Sequence, residues 1–148
     1  MVTRRGLVFG AGAGLALAAL PGAHAQYKPL VTVYKSPTCG CCGEWEKHMR
    51  SSGFRLETQN IADVTPLKRK YGVPETLYSC HTATVDGYVL EGHVPASDIK
   101  RLLRERTKTT GLAVPGMVPG SPGMEQGAAQ RYSTIAFDDR GTRVFERH

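Results

Sequence analysis

Cys39-Gly40-Cys41-Cys42 places three thiols within four residues, and the remaining cysteine of the chain, Cys80, is followed directly by His81. Cys39 and Cys42 have the C-x-x-C spacing, at which a single disulfide forms easily. Two disulfides are awkward, because two of the three clustered thiols would have to pair with each other while the third reached Cys80. Cys41 adds nothing to a structural staple, but it is useful to a metal. Four thiols and an imidazole facing one another form a soft-ligand cage that suits Cu(I), with Zn(II) less favoured. The candidate ligands are therefore Cys39, Cys41, Cys42 and Cys80. Cys41 is rotated about 100° from Cys42 on a helix, so the three clustered thiols do not converge easily on one ion. A polynuclear Cu(I)–thiolate site relaxes that constraint.

Weaker donors surround this set. His81 is either a ligand or a hydrogen-bonded core histidine; adjacent strand residues face opposite sides, so it shares an ion with Cys80 only where the backbone is irregular. Met117 and Met124 are either thioether ligands, suited to Cu(I), or flexible side chains plugging gaps in the core. His93, shortly before Pro95, reads better as a turn histidine. His48 is excluded, because it lies about 10 Å along the helix axis from Cys41. Glu44 and Glu46 read as electrostatic support for the first helix turn, Trp45 and Tyr34 as core, and the terminal His148 as uninformative.

The elements that must position these residues follow from patterning. Leu30–Lys35 is an apolar strand bounded by Pro29 and Pro37. The helix that opens at the cysteines runs to about Ser52, with Trp45 and Met49 on one face and Gly53 as its stop. Phe54–Thr58 is a short alternating strand, and Thr65-Pro66 reads as N-cap and first position of a helix ending at Gly72. Thr82–Val85 and Tyr88–Glu91 are strands joined by Asp86-Gly87, a type I′ hairpin signal. Pro95 opens a helix with Ile99, Leu102 and Leu103 as its apolar stripe. Gly111–Glu125 holds four glycines and three prolines, which predicts a long irregular loop of the kind that carries function. Tyr132–Phe137 and Thr142–Phe145 flank Asp138-Asp139-Arg140-Gly141 as a second hairpin.

The predicted order, β-α-β-α-β-β-α, implies an α/β fold: a thioredoxin-like mixed sheet flanked by helices, with a Gly/Pro-rich loop and a C-terminal β-hairpin. In that layout Cys39 precedes the first helix, and Cys41 and Cys42 lie in its first turn, where unpaired N–H groups stabilise thiolates. The stretch facing that turn, a cis-proline position in redox thioredoxins, is here Cys80-His81.

The 148 residues suit one domain. Arg4-Arg5, the apolar run Leu7–Leu20 and Ala23-His24-Ala25 have the order of a secretory signal peptide covering residues 1–25, leaving 26–148 as the folded unit. The run is too short to span a bilayer comfortably. Twin-arginine export and ordinary export both remain open. Without Arg4 and Arg5 the formal charge falls from +6 to +4. The cations Lys100, Arg101, Arg104 and Arg106 lie on one helix with no interleaved aromatics, a solvated face rather than a nucleic-acid surface.

Three groups of residues together resemble a known family. The first is Val33-Tyr34-Lys35-Ser36-Pro37-Thr38-Cys39-Gly40-Cys41-Cys42 and Ser79-Cys80-His81-Thr82. The second is Tyr88-Val89-Leu90-Glu91-Gly92-His93-Val94-Pro95. The third is Gly111-Leu112-Ala113-Val114-Pro115-Gly116-Met117 with Gly120-Ser121-Pro122-Gly123-Met124-Glu125. The chain so read is similar to the CopG-type copper-resistance proteins. The resemblance implies a thioredoxin-like fold, a periplasmic address, and copper handling through Cys39, Cys41, Cys42 and Cys80. The expected function is periplasmic copper binding, by sequestering Cu(I) or cycling copper between oxidation states, with copper-efflux or copper-chaperone proteins as partners. No nucleic acid and no lasting membrane insertion are expected. The alternatives are a thiol–disulfide oxidoreductase using Cys39 and Cys42, and a passive disulfide-stapled binding module.

Overall fold

Tyr27–His148 is described by a computed structural model, so the expected signal peptide lies outside the described residues. The elements are β1 (Leu30–Lys35), α1 (Gly40–Ser51), β2 (Arg55–Asn60), α2 (Thr65–Lys70), a 3-10 turn (Glu75–Leu77), β3 (His81–Val85), β4 (Tyr88–Gly92), α3 (Ala96–Glu105), β5 (Gly111–Val114), β6 (Ser133–Asp138) and β7 (Gly141–Arg147). They build one seven-stranded sheet in the order β2-β1-β3-β4-β5-β6-β7. The pairs β1/β2 and β4/β5 are parallel; β1/β3, β3/β4, β5/β6 and β6/β7 are antiparallel.

Alternation along the central strands sends side chains to two cores. On one face Val31, Val33, Ala83, Val85, Leu90, Leu112 and Val114 pack with Trp45 and Met49 of α1 and Ile99 and Leu102 of α3. On the other, Val89, Ala113 and Phe137 pack with Val73 and Leu77, which follow α2. The predicted apolar stripes of α1 and α3 are therefore the buried ones. Trp45 is fully buried, and its Nε1–H donates to Val94 O at 2.9 Å, which ties α1 to the segment leading into α3.

The turns agree with their residues. Asp86 and Gly87 have φ of 46° and 84°, the double left-handed geometry of a type I′ hairpin. Gly53, at φ 94°, ends α1. Two local expectations need correction. The N-cap of α2 is Val64 rather than Thr65, and the Asp63 carboxylate accepts the Thr65 N–H at 2.9 Å. Neither Glu44 nor Glu46 lies in the first turn of α1: Glu44 is exposed and pairs with Lys47 at 2.7 Å, and Glu46 is buried and accepts from Thr58 Oγ1 of β2 at 2.8 Å.

The larger correction concerns Gly111–Glu125. Its first four residues are β5, fully buried between β4 and β6. Glycine density suggested a loop, but a run of Leu112-Ala113-Val114 between two strands gains more from burial than its flanks lose. Only the part after Val114 is irregular, and it crosses over the cysteine-bearing end of the sheet.

Candidate metal centre

The α1 N-terminus, the Ser79-Cys80-His81 bend, the end of β4 and the Gly/Pro loop meet at one place. Cys39 is the N-cap of α1, in an extended conformation that brings its sulfur toward the first turn. Cys39 and Cys42 form a disulfide, while Cys41 and Cys80 are free. Cys41 Sγ lies 3.6 Å from Cys39 Sγ, 3.9 Å from Cys80 Sγ and 3.9 Å from Met117 Sδ. The sulfurs of all four cysteines fall within 4.8 Å of one another. The long-range expectation, sulfur from the helix mouth facing sulfur from the segment across it, is what the fold produces.

Cys80 also faces nitrogen. Its Sγ is 3.0 Å from His93 Nε2 and 3.3 Å from His81 Nδ1, and these three residues form a second group of donors within 4.8 Å. Cys80 lies in a bend just before β3, which is the backbone irregularity that lets adjacent residues share one side. The two histidines differ in their far nitrogens. His93 Nδ1 is 2.7 Å from Pro122 O, a carbonyl that can only accept, so Nδ1 carries the proton and Nε2 presents its lone pair to Cys80. That is the arrangement of a ligand imidazole whose other ring nitrogen is anchored. His81 Nε2 is buried with no hydrogen-bond partner, and the ring packs at 4.5 Å from that of Trp45. As a donor His93 is thus better prepared than His81, the reverse of the order read from the chain. The signal for His93 was the pairing of β3 with β4, which brings the residue after Gly92 beside the one before His81.

Burial shapes the acid–base state of these groups. It holds both His81 and His93 below the ordinary imidazole pKa, so both are neutral and able to ligate. Burial, reinforced by the neighbouring Cys41, pushes the Cys80 thiol up to about 12. Cys80 therefore keeps its proton at neutral pH and makes a poor nucleophile, whereas a bound cation deprotonates a coordinating thiol.

Met117 is 54% exposed, at the lip of a hollow of about 480 Å³ lined by Gly40, Cys41, Glu44, Met117, Gly123, Met124 and Gln126. Both candidate methionines thus border the space above Cys41. His48 is elsewhere, its Nε2 accepting the Ala96 N–H at 3.1 Å at the start of α3. His148 contacts Asp98 at 2.9 Å, far along the chain from the thiols.

The fold and the site define a mixed α/β protein with a metal-binding cysteine cluster at one end of its sheet. Two solved structures, described as copper resistance protein CopG in form 2 and form 1, match it with TM-scores of 0.78 and 0.77. Each is 40% identical, covering 82% of this chain and 99% or 98% of the CopG chain. The chain belongs to the CopG family. The family model described as "Protein of unknown function, DUF411" matches residues 77–124, which include Cys80, His93 and both loop methionines. No curated protein matches the chain.

Proposed function

We propose that this protein is an exported, periplasmic copper-binding protein of copper resistance, holding Cu(I) through Cys39, Cys41, Cys42 and Cys80. Residues 1–25 act as its signal peptide and residues 26–148 as a thioredoxin-like metal-binding domain. The strand order β2-β1-β3-β4, with β1/β2 parallel and β1/β3 antiparallel, supports that reading of the fold. Among the described residues, no helix is long and apolar enough to cross a membrane. The observation that carries the function is the convergence on Cys41 of sulfurs from two other chain segments, Cys80 and Met117, each at 3.9 Å. Thiolate with thioether is a Cu(I) donor set, and Zn(II) is the lesser candidate. His93 and His81 supply nitrogen on the Cys80 side, and Met124 a further thioether.

The disulfide sets how much sulfur is offered. With Cys39 and Cys42 bridged, two thiols remain. Exchange with an external dithiol, which is itself oxidised to a disulfide, converts the bridge to two thiols, and four thiolates within bridging distance hold more than one Cu(I). The reverse step, dithiol to disulfide, releases two electrons and two protons, enough to reduce two Cu(II) to two Cu(I). Copper handed on in this way would pass to periplasmic efflux or chaperone proteins.

Metal analysis with copper-edge X-ray absorption, on protein from copper-fed cells, tests this. Sulfur scattering with added nitrogen is expected; copper lost in Cys41→Ser and in Cys80→Ser supports the cage, and copper retained in both refutes it. An anaerobic titration of the reduced protein that ends at one equivalent refutes the polynuclear form. The bridge itself favours a second reading, a thiol–disulfide oxidoreductase using Cys39 and Cys42. That reading predicts rapid exchange with small disulfides and indifference to Cys41→Ser and Cys80→Ser.

A further inference from the structure

Behind the sulfurs lies a buried ion pair that takes no part in the donor set. Lys68 of α2 is 3% exposed and Glu91 of β4 fully buried, with Nζ and Oε1 2.5 Å apart. Glu91 Oε1 also accepts the Ser79 backbone N–H at 2.6 Å, and Oε2 accepts from Thr82 Oγ1 at 2.7 Å. Lys68 Nζ donates to Thr82 Oγ1 as well, at 3.0 Å. A pair this deep is poor evidence for stability, since apolar replacements of similar volume are often neutral or better. What it does locally is more specific. Ser79 stands between the end of the 3-10 turn and the start of β3, where its N–H has no ladder partner, and Glu91 is its acceptor.

From Ser79 the restraint reaches the loop that carries Met117. Ser79 Oγ donates to Gly116 O, and Gly116 N–H donates to Tyr78 O at 3.3 Å. The slot is tight on its other side too. Gly92, at φ +71°, has no Cβ, and one placed there would lie 2.5 Å from Ser79 Oγ and 2.6 Å from Val114 O. Ser79 is thus clamped between β4 and the Gly/Pro loop, with Cys80 next in the chain.

We propose that the Lys68–Glu91 pair is the positioning device of the sulfur site: through the Ser79 N–H it holds Cys80, and through Ser79 Oγ and Gly116 it holds Met117, both against Cys41. The copper part of this rests on the function proposed above; the placement of Cys80 does not. A free bend would let Cys80 swing, so the cluster would form only by ordering the segment at the moment of binding, at a cost in affinity.

Two double variants separate anchoring from general packing. Lys68→Met/Glu91→Gln removes both charges but keeps an amide oxygen for the Ser79 N–H; Lys68→Met/Glu91→Leu removes the acceptor as well. Both are monitored by thermal unfolding. In the leucine variant, alkylation of Cys80 in the metal-free disulfide form is expected to quicken at least several-fold, and Cu(I) affinity against a competing chelator to fall about 10- to 100-fold, as for other groups that orient ligands. The glutamine variant is expected to restore both most of the way to wild type. Equal behaviour of the two variants, or wild-type alkylation in a folded leucine variant, overturns the proposal. Should neither fold, hydrogen exchange on the unmodified protein decides: the Ser79 amide is expected to exchange as slowly as the amides of β3, and rapid exchange overturns it. Wild-type protein that binds no Cu(I) defeats the copper function, while the alkylation and exchange results still judge the anchor.

Discussion

Gly123→Ala is the sharpest single test of how the Gly/Pro loop is seated on the site. Gly123 has φ +88°, and a Cβ there would stand 2.7 Å from Trp45 N, 2.9 Å from Cys41 O and 3.2 Å from His93 Nδ1. The backbone conformation alone costs a non-glycine residue about 1–2 kcal/mol. The first two contacts are with the backbone of α1, which cannot rotate away, so the loop must retreat by roughly 0.8 Å to reach ordinary van der Waals separation. The Pro122 O to His93 Nδ1 hydrogen bond, now 2.7 Å, would then stretch beyond useful length, adding about 1 kcal/mol. The expected loss is therefore about 2–3 kcal/mol, together with a Cu(I) affinity reduced about 10- to 100-fold, because His93 loses the partner that sets its tautomer. Gly127→Ala is the control: φ is +85°, but nothing lies within 4 Å of the added methyl, so it carries the backbone cost alone. Urea unfolding of the metal-free disulfide form and chelator competition read the two effects. If the two variants lose the same stability, or if Gly123→Ala binds Cu(I) as wild type does, the loop is not seated as described.

Three further outcomes follow from the same geometry. His93→Gln is expected to weaken Cu(I) binding about 10- to 100-fold, while His81→Phe, which keeps an aromatic ring against Trp45, changes it by less; a larger loss at His81 on chelator competition would reverse the ranking of the two donors. Trp45→Phe removes the Nε1–H bond to Val94 O and opens a cavity beneath His81, so the unfolding free energy should drop by about 2–4 kcal/mol; a drop under about 0.5 kcal/mol, the size of an ordinary surface change, would contradict it. Burial lowers the pKa of His48, His81 and His93, so below about pH 6.5 the unfolded chain binds more protons than the folded one. Stability of the metal-free protein is then complete above that pH and falls as pH drops toward the folded pKa values, by up to about 1.4 kcal/mol per unit for each fully buried histidine and less for partly buried His48. Urea midpoints that do not move between pH 7.5 and 5.5 would show that these imidazoles are not neutral in the fold.

Much of this protein is legible along the chain, because its strongest signals are local. Apolar runs, Pro and Gly punctuation and the Asp86-Gly87 hairpin dictate backbone conformation over a few residues, and they yield the element order from β1 to α3. The thiol spacing of Cys39, Cys41 and Cys42 is likewise a local fact. The tertiary structure decided what depends on neighbours distant in sequence. Gly111–Val114 is a strand because β4 and β6 bury it, an influence that outweighs its glycine and proline surroundings. His93 faces Cys80 because β3 and β4 pair in one register, and it offers Nε2 because the Pro122 carbonyl, 29 residues on, accepts the Nδ1–H. Lys68 and Glu91 look like ordinary surface charges in the sequence; only packing removes both from water and leaves each the other's partner. Spacing determines which groups are available, whereas register, burial and the partner of the second ring nitrogen determine which of them can share an ion.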